Sequence, residues 1–126
     1  MPKPKDILEN FSEKFPILAK TYNLYKEASE ISKNEENTLR KSSEITILEI
    51  LELIVIATRQ SREQKKQTLI QALRKLDTLK VFADMAKDLK NLSETKYTEI
   101  QGSLQSIGQM LGGWLKAVNA PPKEAK

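Results

Sequence analysis

Apolar residues recur every three or four positions along most of the chain, which is the spacing of helices with one buried face. Near the end of the chain they stand at Tyr97, Ile100, Leu104, Ile107, Leu111, Trp114 and Val118. No proline lies between Pro16 and Pro121, so nothing in that stretch interrupts long helices. The pattern predicts an all-α chain.

Local signals predict the first two helices. Pro16 suits a first helical position, because its missing N–H would be unpaired there in any residue. The buried face of this helix is expected at Ile17, Leu18, Tyr22, Tyr25, Ala28 and Ile31. A second helix is predicted over roughly 38–59. Its many β-branched residues make a buried strand the competing interpretation, but its length and its Glu and Leu content favour a helix.

The last two helices carry clear start signals. Ser61 and Gln64 form an S-x-x-Q capping box ahead of helix three, which is expected to run to about Leu92. Ser93 is then a natural N-cap for helix four. The two prolines Pro121 and Pro122 are expected to end that helix. Four helices with short connections predict an antiparallel up-and-down four-helix bundle over residues 16–119.

The flanking segments and helix two extend this prediction. Residues 1–15 are expected to form a basic N-terminal tail or a short extra helix, and residues 120–126 a C-terminal tail. The centre of helix two, ITILEILELIVIA, is apolar on nearly every side, and one small bundle covers only one side. We therefore expect the chain to assemble as a barrel-like homo-oligomer.

All four glycines of the chain lie in helix four, where each costs roughly 1 kcal/mol of helix propensity relative to alanine. Gly108 and Gly112 stand four positions apart and form a smooth strip beside the only tryptophan, Trp114. We interpret these three residues as a site of close helix packing, within one chain or between copies.

Composition excludes several kinds of chemistry. The chain has no cysteine and no histidine, so disulfides, thiolates and imidazole bases are excluded, together with nearly every zinc or haem site. No catalytic residue, metal ligand or cofactor is predicted. Glu49 and Glu52 have the spacing of di-iron bundle ligands but lack the histidines those sites use, so they are expected to face solvent or pair at an interface. The chain opens without an apolar signal core and is expected to be cytoplasmic, with no membrane contact.

The net charge is +4, and its placement matters more than its size. In the predicted topology the chain start, the turn between helices two and three, and the chain end lie together at a basic end. Candidate phosphate-binding residues follow from this charge argument: Arg59, Arg62, Lys65, Lys66, Arg74 and Lys75. The alternative, a merely solvated surface, remains open. Lys80 and Lys87 are expected to pair along helix three with Asp77 and Asp84. No aromatic residue interleaves with the basic cluster in the sequence, so base stacking is not predicted.

Helices three and four also carry a family resemblance. Its residues are Leu76-Asp77, Leu92-Ser93-Glu94 with Tyr97, and the run I-G-x-M-L-G-G-W-L at 107–115. From Pro16 to Val118 the chain resembles the four-helix-bundle family that contains the 23S rRNA intervening-sequence proteins and Avd, the accessory variability determinant of diversity-generating retroelements. Gln109 is neutral where the family run often reads I-G-R-M-L, so we do not expect helix four to bind phosphate through this position.

The resemblance implies a barrel-shaped homopentamer with a basic surface. For the Avd branch it implies binding to a reverse transcriptase and to template or spacer RNA, or to another nucleic acid, in support of mutagenic cDNA synthesis. The resemblance carries over no RNA-binding residue. The main hypothesis is therefore a non-enzymatic accessory subunit of a reverse transcriptase. The alternative is an rRNA intervening-sequence-type bundle that binds proteins and not nucleic acid.

Overall fold

The computed structural model describes residues 15–34 and 36–120, so the predictions for the two tails lie outside the described residues. Four helices make up this part of the chain: α1 (Pro16–Ala28), α2 (Thr38–Arg59), α3 (Arg62–Asp88) and α4 (Glu94–Asn119). No strand is present in the two described ranges. The competing strand interpretation of α2 was therefore wrong, and the all-α prediction is confirmed.

The predicted caps of α3 and α4 are confirmed. The Ser61 side chain accepts a hydrogen bond from the Gln64 backbone, and the Gln64 side chain accepts one from the Ser61 backbone. Ser93 accepts from the backbone of Lys96 at the start of α4. Helix α3 ends at Asp88, four residues before the predicted position, and the chain then turns through Lys90, which has a φ of 60°.

The helices form a closed ring around one core. Helix α1 packs on α2, α2 on α3, α3 on α4, and α4 again on α1. The start of α3 lies at the end of α4, where Arg62 Nε donates to the Val118 carbonyl at 2.7 Å. The end of α3 lies at the start of α4, where the Tyr97 hydroxyl donates to Asp84 at 2.6 Å. A four-helix bundle follows from this arrangement.

Of the three described polar side chains in the core, Thr21 and Ser43 bond within their own helices, whereas Thr68 of α3 donates to the Gln60 side chain just after α2 at 2.6 Å. The Thr21 hydroxyl donates to the carbonyl of Ile17 at 2.7 Å, and Ser43 donates to the carbonyl of Leu39 at 2.8 Å. Side-chain contacts that join two helices lie nearer the surface and include the following: Lys75 with Glu49, Tyr97 and Gln101 with Asp84, Lys87 with Glu94, Ser103 with Glu27, and Arg62 with the Val118 carbonyl. Lys96 of α4 also reaches Glu30, just after α1. The interior is therefore almost wholly apolar, and polar contacts between helices surround it.

The face of α1 differs from the predicted one. Leu24 and Thr21 are buried, whereas Tyr22 is exposed and Tyr25 is only partly buried. Buried residues 17, 21, 24 and 28 follow steps of four, three and four, which is the helical period. Placing Tyr22 in the core was wrong, because it stands one position beyond this line and its Lys26 neighbour covers the outward ring at 4.7 Å.

Large apolar side chains remain uncovered on the outer side of α2. Ile45 is 58% exposed, Leu48 is 49% exposed and Ile56 is 39% exposed, while Ile47, Ile50 and Ile54 of the same helix are buried. The three exposed residues, which we call the α2 outer stripe, lie opposite the core. No helix in the described ranges has the length and apolarity needed to cross a membrane.

Candidate nucleic-acid interface

One end of the bundle gathers basic side chains from the turn between α2 and α3. Arg59 is the last residue of α2, and Arg62, Lys65 and Lys66 lie within the first five residues of α3. Glu63 is the one carboxylate among residues 59–66. Lys65 lines a cavity together with the start of α1 and the end of α4. We call this region, from Arg59 to Lys66 and around the cavity, the basic end.

Two of its cations are held in place without losing their charge. Arg62 Nε donates to the Val118 carbonyl at 2.7 Å, and Lys65 Nζ donates to the Gln60 carbonyl at 3.0 Å. A guanidinium has five N–H donors and an ammonium has three, so both groups keep donors for a further acceptor. A carbonyl contact positions a cation, whereas a carboxylate contact also neutralises it.

The remaining candidates divide by their partners. Lys66 Nζ lies 3.3 Å from Glu63, and Lys75 Nζ lies 3.2 Å from Glu49 across α2 and α3. Arg59 and Arg74 are exposed and have no carboxylate partner within residues 15–34 and 36–120. Four of the six candidates, Arg59, Arg62, Lys65 and Arg74, therefore present a charge that no described carboxylate compensates.

The six candidates do not form one patch. Arg74 stands eight positions after Lys66, about 12 Å further along α3 at 1.5 Å per residue. Lys75 bridges α2 and α3 through its ion pair with Glu49. Only residues 59–66 therefore belong to the basic end, and Arg74 and Lys75 lie beside it.

Folding brings an aromatic residue to the basic end, which the sequence did not reveal. Trp114 and Met110 of α4 line the same cavity as Lys65 and Thr58. The sequence separates Trp114 from Lys65 by 49 positions, so no local pattern joins them. To predict this contact, one would have to know that the end of α4 packs beside the start of α3, and which side of each helix faces the other.

The opposite end also carries lysines, in a wide cleft of about 770 Å³. Lys96 lies 2.7 Å from Glu30, and this hydrogen bond raises the pKa of Lys96 above its ordinary value. Lys87 pairs with Glu94 at 3.5 Å. Two carboxylates, Glu30 and Glu94, thus offset two of the four lysines that line the cleft, whereas the basic end has one carboxylate for four cations. The cleft is therefore less positively charged than the basic end.

The predicted ion pairs along α3 are right only in part. Lys80 lies 3.5 Å from Asp77, as expected. Lys87 instead reaches Glu94 of α4, and Asp84 accepts hydrogen bonds from the Tyr97 hydroxyl and the Gln101 amide. Pairing Lys87 with Asp84 was wrong, because α4 offers both residues partners across the helix interface.

The glycine strip meets different surroundings at its two ends. A Cβ added at Gly108 would stand 3.3 Å from Leu76 Cδ2 of α3, a tight contact with a buried side chain. A Cβ at Gly112 would meet nothing within 4 Å. Within one chain the close approach is therefore at Gly108 and is made by a side chain, while the role of Gly112 stays a prediction.

The described residues show no arrangement typical of an active site. No group of three or more carboxylates in the described ranges is placed to hold a metal ion. Glu49 pairs with Lys75 and Glu52 is exposed, as the sequence indicated. Ser103 donates to Glu27 at 2.7 Å, which ties α4 to α1 and lacks the third group of a nucleophilic triad.

Comparison with known proteins gives one match that covers most of the chain. A family model described as bAvd-like matches residues 11–118, which include all four helices except the last residue of α4. No curated protein matches the chain.

Proposed function

The chain belongs to the bAvd-like family, and on this premise we propose that it is a non-enzymatic accessory protein of a diversity-generating retroelement. In this role it binds the element's reverse transcriptase and its template or spacer RNA, and it supports mutagenic cDNA synthesis in the cytoplasm. The basic end is the surface that meets the RNA backbone.

The uncompensated cations of the basic end carry this proposal. Arg59 has no carboxylate partner in the described ranges, and Arg62 and Lys65 are fixed by backbone carbonyls. Protein groups that neutralise phosphates release condensed counterions, which supplies much of the affinity for nucleic acid. Cations already paired with carboxylates gain less from a phosphate, so Lys66 and Lys75 are secondary contacts.

Assembly is the second part of the proposal. We propose an antiparallel up-and-down bundle whose copies form a barrel-like homopentamer, with the α2 outer stripe covered by a neighbouring copy. The closed ring of helix contacts and the hydrogen-bonded pairs at both ends of α3 support the topology. The uncovered side chains of Ile45, Leu48 and Ile56 support the assembly, because exposed apolar patches often mark interaction sites.

The phosphate contacts are tested by removing only uncompensated charge. The triple variant Arg59→Gln, Arg62→Gln and Lys65→Gln is compared with Lys41→Gln, Lys80→Gln and Lys87→Gln, whose lysines already pair with carboxylates. Both variants lose the same net charge. We expect the first to bind RNA at least tenfold more weakly and to flatten the plot of log affinity against log salt by about 0.7 per lost contact.

Equal effects of the two variants would contradict a specific role for the basic end. Circular dichroism and thermal melting of both variants check that the bundle still folds. Co-purification with the reverse transcriptase of the same locus tests the protein partner separately. If the unmodified chain binds that enzyme but no RNA, the alternative of a purely protein-binding bundle is correct.

A further inference from the structure

A cavity with mostly apolar walls opens at the basic end. Its volume is about 400 Å³, within the range of small-ligand pockets. Trp114 and Met110 of α4 form one side, and Pro16 and Ile17 of α1 contribute further apolar wall. Among the described residues of the lining, Lys65 is the one cationic group. An accessible indole beside an ammonium suits a planar, uncharged ring attached to an anion.

Lys65 in the lining and Arg62, one helical turn earlier, keep hydrogen-bond donors for such an anion. Lys65 donates one of its three N–H groups to the Gln60 carbonyl, and Arg62 donates one of its five, the Nε–H, to the Val118 carbonyl. Two N–H groups of Lys65 and four of Arg62 therefore remain for a further acceptor. Arg59 is the last residue of α2, two residues before α3, which contains both Arg62 and Lys65. Lys65 thus lines the cavity, Arg62 stands one helical turn before it in α3, and Arg59 directly follows the lining residue Thr58. None of these three cations has a described carboxylate partner.

We propose that this cavity receives one unpaired RNA base, which stacks on Trp114 while its flanking phosphates meet Lys65, Arg62 and Arg59. The inference rests on the proposed RNA binding and adds the kind of RNA that is bound, namely single-stranded. Aromatic side chains stack on any base, because every base has a π face, so the site accepts RNA without strong sequence preference. A base inside a duplex is already stacked and paired, and entering the cavity would require it to leave the helix.

Charge favours this occupant over an apolar protein segment. A hydrophobic peptide in the cavity would leave the Lys65 ammonium without an electrostatic partner, whereas a nucleotide supplies both the ring and the phosphate. The volume also exceeds what a single side chain needs, and pockets of this size bind small molecules or their fragments.

Trp114 makes the test direct, because it is the only tryptophan of the chain. The full-length protein is titrated with a single-stranded oligouridylate, with an abasic oligomer of the same phosphate number, and with an RNA duplex of the same length. Tryptophan fluorescence reports stacking, and anisotropy of a labelled oligomer reports binding. We expect strong quenching with the oligouridylate and little with the abasic oligomer or the duplex.

A pair of variants gives an independent readout. Trp114→Leu removes the stacking surface, and Phe82→Leu removes a partly buried aromatic residue of α3 away from the cavity. We expect Trp114→Leu to lower affinity for the oligouridylate about tenfold and to leave affinity for the abasic oligomer unchanged. Phe82→Leu should change neither affinity. If Trp114→Leu fails to fold, the quenching comparison on the unmodified chain decides the matter alone.

The outcomes separate this inference from the proposed function. RNA binding by anisotropy without any change in tryptophan fluorescence would overturn the base site and leave RNA binding intact. Equal quenching by abasic and base-bearing oligomers would also overturn it, because charge alone would then explain the signal. No RNA binding at all would overturn both. Quenching that depends on protein concentration and not on RNA would show that a second copy fills the cavity.

Discussion

At the scale of single residues, Gly108 and Gly112 differ in what a methyl group would meet. Gly112→Ala adds a Cβ in open space, so it should raise the free energy of unfolding by up to about 1 kcal/mol through helix propensity. Gly108→Ala gains the same propensity but presses on Leu76 at 3.3 Å, so its net effect should be smaller or negative. Denaturant unfolding of each variant gives the comparison. A Gly112→Ala protein that loses assembly would instead place Gly112 between copies.

Tyr97 offers a test by pH. Its hydroxyl donates to Asp84 at 2.6 Å, and this bond raises the pKa of Tyr97 above its ordinary value of 10.0. Because the folded-state pKa is the higher one, the bond stabilises the bundle fully below about pH 10 and is lost as pH rises through the raised value. Ultraviolet titration in a Tyr22→Phe, Tyr25→Phe background isolates this group.

Asp84 supplies the matched comparison for that titration. Asp84→Asn removes the largest cause of the shift and should move the pKa of Tyr97 back toward its ordinary value. Asp77→Asn removes a carboxylate of the same helix that pairs with Lys80, and it should leave Tyr97 unchanged. An unshifted Tyr97 in the unmodified protein would mean that the hydrogen bond to Asp84 does not persist in solution.

At the scale of elements, helix α2 combines a buried side with the α2 outer stripe. The double variant Leu48→Glu, Ile56→Glu places two charges where we propose that a neighbouring copy packs. We expect it to be monomeric by light scattering while it keeps its helical circular dichroism, because exposed side chains add little to the folding of one chain.

A control on another helix holds the added charge constant. Gln105 and Gln109 are exposed on α4, and their replacement by Glu should leave the assembled mass unchanged. If the α2 variant keeps the mass of the unmodified protein, the stripe does not join copies of this chain. The remaining explanation for its exposure would then be another partner, of which the reverse transcriptase is the first to examine.

The elements also show what the sequence could predict. The bounds of α2 and the starts of α1, α3 and α4 were predictable, because Pro16, Ser61 and Ser93 act within one turn of each helix. The end of α3 was not, because it depends on the left-handed turn at Lys90 rather than on a proline or glycine. The outward position of Tyr22 was also missed, since a one-residue error in helical phase rotates a side chain by about 100°.

At the scale of the whole molecule, charge clustering was predictable and its chemical setting was not. Residues 59–66 are contiguous, so their charge could be read directly, but their partners come from elsewhere in the chain. Arg62 meets Val118, Lys75 meets Glu49, and Lys65 shares a cavity with Trp114. Only the packed ring of helices separates compensated from uncompensated cations and places an indole beside them.

The almost wholly apolar interior affects which positions of this sequence can change during evolution. Thr21 and Ser43 bond within their own helices, and among the described buried hydroxyls only Thr68 bonds to another element, at Gln60 beside the turn between α2 and α3. Cores of this kind tolerate volume-conserving exchanges among aliphatic residues. The alignment of the helices then depends more on hydrogen bonds at the edge of the core, such as those of Ser103 with Glu27 and of Arg62 with Val118. The sequences of related chains should therefore vary more at core positions than at the residues that form these hydrogen bonds.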